Sequence, residues 1–178
     1  RLAGSGVART FQRTSVFRHL DVIENVALAI RSREKIAASV WLPAMREQQV
    51  IEEAASILAK VGLRGRERIM AGNLAHGYQR SLDIAIGLAL KPTLILMDEP
   101  LAGMSRGDRE TVASLITMLR DTLGLTVVVV EHDVGMVMRL SDRITVMQNG
   151  TVIASAPPEE IRGNEAVRKA YLHGSFTQ

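Results

Sequence analysis

The chain of 178 residues has no cysteine, one Trp, two Tyr and three Phe, no apolar run of membrane-spanning length, and no Gly-Lys dipeptide. The missing cysteines exclude disulfides and fit a reducing compartment. The scarcity of aromatics leaves little from which to build a base-stacking platform, so nucleic acid is disfavoured as a partner. Runs such as "LTVVVV" (Leu125 to Val130) have the length of a strand, far short of the roughly 20 residues that cross a bilayer. No signal peptide is expected, because residue 1 is Arg and a polar, glycine-bearing stretch follows. The net charge is only +3, with 22 Lys and Arg against 19 Asp and Glu. The basic clusters Arg31, Arg33, Lys35 and Arg64, Arg66, Arg68 read as solvated faces. A partner at an anionic membrane surface remains compatible with this balance.

What is there is a chain of single-domain size whose 47% apolar content suits a packed core. "GVARTFQ" reads as a short β run ending at Phe11 and Gln12. Asp21 followed by Glu24 forms a capping-box pattern that opens a helix. Pro43 interrupts the helical region, and a second amphipathic helix is expected from about Ala44 to Val61, stopped by Gly62. A further helix runs through "SLDIAIGLAL" and ends before Pro92. "TLILMD" and "TVVVVE" then read as strands buried on both faces, with a helical stripe between them at Val112, Leu115, Ile116, Leu119 and Leu123. Beyond a short helix near Val134, Asn149-Gly150 turns "RITVMQ" into "TVIASA" as a hairpin. "NEAVRKAYL" closes the chain as a helix capped by Asn164. The alternation of strand and helix predicts an α/β fold with a parallel sheet. Three segments are expected: 1–20, a helical subdomain over 21–76, and a C-terminal α/β core over 77–178.

Sites in such sheets lie at the carboxyl ends of the strands, where Asp98, Glu99 and His132 fall. An Asp there can hold Mg²⁺ against phosphate oxygens, and an adjacent Glu can orient or deprotonate an attacking water. Neighbours on an extended strand point opposite ways, which suits two roles. His132 has a ring nitrogen to offer a terminal phosphate, and Gln12 has an amide oxygen to offer a metal or water. In "NLAHGYQR", Gly77 permits close backbone approach at a helix start, where free amides attract anions. Each piece alone also fits an ordinary strand end, loop or helix start.

Together, in order and spacing, they resemble the ATP-binding subunits of ABC transporters over essentially the whole chain. "RTFQ" is similar to the Q-loop, "LAHGYQR" to the signature segment, "LILMDEP" to the Walker B strand, "LAGMS" to the D-loop and "VVVVEHD" to the histidine switch. The resemblance implies a P-loop NTPase core of the ABC type with a helical subdomain, and ATP and Mg²⁺ as cofactors. It implies that Gln12 and Asp98 serve the metal, that Glu99 is the catalytic base and that His132 senses the γ-phosphate. It also places Leu74, Ala75, His76, Gly77, Tyr78, Gln79, Gly103 and Ser105 at the nucleotide. Its partners would be a second ATP-binding subunit and membrane permeases, at the cytoplasmic face of the membrane. "GVARTFQRTSVFRHLDVIENV" and "PPEEIRGNEAVRKAYLHG" narrow the likeness to importers of branched-chain amino acids or urea. The lipopolysaccharide-export ATPase is the nearest competitor by its tail.

Three positions depart from the family pattern: Ala75 for the signature serine, Tyr78 for Gln or Glu, and Ser105 for the D-loop aspartate. The family's phosphate loop (Walker A) precedes the Q-loop, yet this chain starts at Arg1, eleven residues before Gln12. A fragment lacking the N-terminal part of its nucleotide-binding core is therefore expected, inactive on its own. A soluble ABC ATPase acting on ribosomes or DNA, and a non-catalytic interaction module, are the competing classes.

Overall fold

Two apolar runs joined by an amphipathic helix of 16 residues have a natural solution: parallel neighbours with the helix crossing over one face. The computed structural model, which describes residues 6–10, 16–35 and 44–171, adopts it. Strand β2 (Leu94–Asp98) pairs in parallel with β3 (Thr126–Val130), and the connecting helix is α4 (Arg106–Asp121). On its other side β2 pairs in parallel with β1 (Val7–Thr10), giving a sheet of order β1-β2-β3.

Helices α1 (Val22–Arg33), α2 (Ala44–Lys60) and α3 (His76–Ala89) pack on one another, and α3 lies on β1 and against α4. The α3–β1 approach is close because small residues meet there: a Cβ on Gly87 would stand 3.7 Å from that of Ala8. Ile30, Leu58, Leu63, Leu82, Ile84, Ile95, Met97 and Leu119 are fully buried among these elements. No described helix is long and apolar enough to cross a membrane.

Residues up to Val130 and those from Glu131 onward form two compact units. In the second, α5 (Val134–Leu140) precedes an antiparallel hairpin of β4 (Ile144–Gln148) and β5 (Thr151–Ala156). Asn149 and Gly150 have φ of 48° and 78°, the left-handed pair a tight hairpin turn demands. Helices α6 (Pro158–Gly163) and α7 (Glu165–Tyr171) complete it, with Asn164 Oδ1 accepting from Val167 N at 3.2 Å as the cap of α7. Ile144, Ile161 and Val167 form its small core.

Four expectations require correction. Strand β3 is not buried on both faces: Val128 and Val130 are exposed while Val127 and Val129 are half-buried, and β2 alternates between buried and half-buried positions. An unbroken apolar run satisfies a doubly covered strand, but it does not supply the cover. The capping box at Asp21 does not form either. Asp21 makes no side-chain cap bond, and Glu24 instead accepts from Arg31 at 3.2 Å.

The loop before α1 is held by Asn25, which is buried. Its Oδ1 accepts from Phe17 N at 2.7 Å, and its Nδ2 donates to Phe17 O at 3.1 Å and Asp21 O at 3.0 Å.

Third, Arg31 and Arg33 are not on a solvated face. Arg31 bridges Glu24 and Glu47, while Arg33 pairs with Glu53 at 2.8 Å and donates to the Ala89 carbonyl at the end of α3. Glu47 and Glu24 raise the Arg31 pKa and Glu53 raises that of Arg33, while Arg33 lowers that of Glu53. Fourth, Arg66 stacks over the Tyr78 ring, its Cζ 4.1 Å from the centroid.

Candidate nucleotide site

Strand β2 delivers its last residue, Asp98, opposite Val130 of β3. The Asp98 carboxylate is partly exposed and lies 3.9 Å from Arg9 Nη2, a cation supplied by the adjacent β1. Glu99 has already left the strand. Its φ of 43° lies in the left-handed region, which costs a non-glycine residue on the order of 1–2 kcal/mol. The Glu99 amide donates to Val130 O at 2.8 Å, and the Glu99 carbonyl accepts from Ala102 N at 3.1 Å. Asp98 and Glu99 are thus separated by a backbone turn rather than by strand alternation, a correction to the extended arrangement expected from the sequence.

The signature-like segment forms the start of α3. A 3-10 turn, Ala71–Asn73, leads through buried Leu74 to Ala75, the N-cap, whose methyl offers no side-chain cap bond. Ala75 and His76 are exposed, and the Ala75 carbonyl accepts from Gln79 N at 2.9 Å. Gln79 itself turns inward, donating from Nε2 to Leu74 O at 2.9 Å. Leu74 and Gln79 therefore shape the turn from within and do not face solvent. Tyr78 is half-buried, with its hydroxyl accepting from Arg66 Nη2 at 3.0 Å.

Gly77 meets a side chain: a Cβ there would stand 2.6 Å from Asp108 Oδ1. The close approach read from the sequence is made by this carboxylate. Asp108 is held in place by the cap of α4, where Ser105 Oγ accepts from Asp108 N at 3.3 Å and donates to Asp108 Oδ2 at 2.7 Å. Ser105 therefore fills a structural post at the position expected to carry a D-loop aspartate. Gly103, two residues earlier, is exposed with a φ of 71°.

His132 belongs to the second unit. Its side chain is 73% exposed, with Nδ1 3.9 Å from the carboxylate of Glu131, whose side chain is covered. Asp133 caps α5 by accepting from Met136 N at 3.1 Å. Gln12 lies outside the described residues.

No group of three or more His, Cys, Asp or Glu placed to hold a metal occurs among the described residues. A Mg²⁺ site built from one or two protein ligands plus phosphates and water needs none, and a partly exposed Asp98 fits that donor set. Arg9 and Arg80 escaped the sequence reading. Arg80 is buried within α3 and reaches the Asp98 carbonyl. The alternation in "GVARTFQ" was the signal available for Arg9, since it puts a cation on the strand beside β2.

Residues 1–102 match the family model described as ABC transporter, and residues 151–172 match that of the branched-chain amino acid ATP-binding cassette transporter. The high-affinity branched-chain amino acid transport ATP-binding protein LivG of Salmonella typhimurium is 39% identical over 177 residues, covering 97% of this chain and 69% of that protein. BraF of Pseudomonas aeruginosa, of the same description, is 37% identical with the same coverage. An ATP-binding cassette of an ABC transporter, solved in its ADP conformation, superposes with a TM-score of 0.77 at 27% identity, over 97% of this chain and 70% of that one. Strand-end carboxylates, a glycine-bearing helix start and these matches converge: the chain belongs to the ATP-binding proteins of the ABC transporter family, which are ATPases with a P-loop NTPase fold.

Proposed function

We propose that the protein couples ATP hydrolysis to the import of branched-chain amino acids, or of a similar small polar solute. The observation that carries the substrate class is the match of residues 151–172 to the branched-chain amino acid cassette model, alongside relatives of that description. In this reading Glu99 polarises the attacking water, and His132 contacts the γ-phosphate. Ala75, His76, Gly77 and Tyr78 present the α3 N-terminus to nucleotide held by a second ATP-binding subunit. Leu74 and Gln79 hold that turn in shape, while Gly103 and Ser105 set the D-loop before α4. Asp98 and Gln12 would hold Mg²⁺, which neutralises phosphate charge when bound.

The working protein would sit peripherally at the cytoplasmic face of the membrane, against transmembrane permease subunits. Phe17 is 61% exposed on the loop fixed by Asn25, and Leu20 and Met70 are exposed beside it. This apolar surface is suited to receive a permease. In the intact transporter reconstituted in vesicles, Phe17→Ala should lower branched-chain amino acid uptake severalfold while ATP hydrolysis stays within about twofold. Equal losses of both would give the loop no separate part in coupling, and absence of uptake in the parent would sink the substrate assignment.

The 178 residues contain no G-x-x-x-x-G-K-[ST], the motif whose amide cradle and lysine hold a triphosphate. Titration of this chain alone with Mg-ATP should show binding weaker than about millimolar, with no sustained phosphate release. Micromolar binding with turnover would mean that the cradle is built by other residues.

A further inference from the structure

We propose that Arg80 is a positioning residue that locks the Asp98–Glu99 peptide plane and so sets where the Glu99 carboxylate stands. The inference rests on the proposed role of Glu99. The Asp98 carbonyl and the Glu99 amide belong to one peptide bond. Its oxygen accepts from Arg80 Nη2 at 3.4 Å, and its N–H donates to Val130 O at 2.8 Å. A planar unit held at both of its polar ends cannot rotate without breaking both bonds. The orientation of that plane determines φ at Glu99, which is 43°. A left-handed conformation at a glutamate persists only where its surroundings hold it, and here two hydrogen bonds do so.

The arginine is itself fixed. It is 3% exposed, and its Nη1 lies 3.1 Å from Asp83 Oδ2, one turn further along α3, with the two side chains 4% and 5% exposed. Asp83 thus supplies the counter-charge that lets a guanidinium be buried beneath the strand end. Arginine is required for this geometry. Its planar fork serves a carboxylate with one nitrogen and a carbonyl with another, which a single ammonium on a flexible stem does not do in the same fixed way. Arg80 also lies on the helix that Ala75 caps and whose first turn carries His76 and Gly77, so one helix carries both the signature turn and the side chain that reaches the strand end.

The test uses the intact protein with Arg80→Lys, and Arg80→Met/Asp83→Leu, which removes the buried charges together. Two quantities are read: kcat and KM for ATP, and hydrogen exchange of the Glu99 amide against amides of α1. In Arg80→Lys, kcat should fall about tenfold or more with KM within about twofold, since a small displacement of a catalytic group is sufficient for that loss. The Glu99 amide should exchange at least about tenfold faster while α1 amides are unchanged. The double variant should show the same pattern. If it does not fold, Arg80→Lys decides alone.

Unchanged exchange at Glu99, exchange that rises equally in α1, or a retained kcat overturns the proposal. Should Glu99→Gln keep full turnover while Arg80→Lys still frees the Glu99 amide, the base assignment fails and the peptide lock stands.

Discussion

Glu99→Gln in the intact protein is expected to bind ATP as the parent does and to lose about 10²-fold or more in turnover. Glutamine keeps the size and the hydrogen-bonding oxygen of the side chain but is not a base, so proton transfer and water polarisation are lost. The backbone at this position sharpens the comparison. Glu99 sits at a φ of 43° just before Pro100, and its own N–H and carbonyl both bond to backbone atoms. The substitution therefore leaves the turn as it is. An ATP-bound dimer should accumulate in the variant, because the nucleotide it closes around is not discharged. Steady-state hydrolysis at the parental rate would remove Glu99 from the role of base.

Gly77→Ala is expected to destabilise the protein by about 1–3 kcal/mol, because its methyl would overlap the Asp108 carboxylate in a packed position. The added Cβ would lie 2.6 Å from Asp108 Oδ1 and 3.0 Å from its Cγ. Swinging the aspartate away would break its hydrogen bonds to Ser105 at the first turn of α4. Either α4 shifts against α3 or the signature turn opens, and both outcomes lower activity. Asp108→Ala in the same chain removes the two nearest atoms and leaves only a Cβ contact at 3.2 Å. The double variant should recover much of the lost Tm, less the cost of the weakened cap. A single variant with parental Tm and activity would show that the Gly77 contact relaxes without consequence.

Much of this architecture is visible in the residues themselves. The Asn149-Gly150 turn, the Gly62 stop and the stripe of α4 are encoded within a few positions of where they act, so short-range spacing reveals them. The strand-end placement of Asp98 is legible for the same reason: an apolar run ends there, and Pro100 follows.

What the sequence hides are partnerships between distant positions. Arg9 meets Asp98, Arg33 meets Glu53 and Ala89, and Arg66 meets Tyr78. A basic residue in isolation has the same one-letter code whether it is solvated or buried against a carboxylate. The burial of a strand's second face is hidden too, because it depends on which elements pack there. The left-handed turn at Glu99 opposes local preference, since neither glutamate nor a residue preceding proline favours it. Spacing therefore pointed to an extended backbone at a position where tertiary hydrogen bonds impose another.

The pairing of β1 with β2 also has a consequence for how the chain reaches this state. Gly6 and Thr93, which share a hydrogen bond beside that pairing, are 87 positions apart. Closing a loop of this length costs chain entropy on the order of 4 kcal/mol before any contact rewards it. During synthesis β1 must wait for β2, while α1 and α2 can form locally in the interval. The β4–β5 hairpin, closed by a two-residue turn, carries no such delay. Docking of β1 is therefore expected to be the slower, topology-limited pairing of β2, and until it occurs that edge of β2 is open to pairing with other chains.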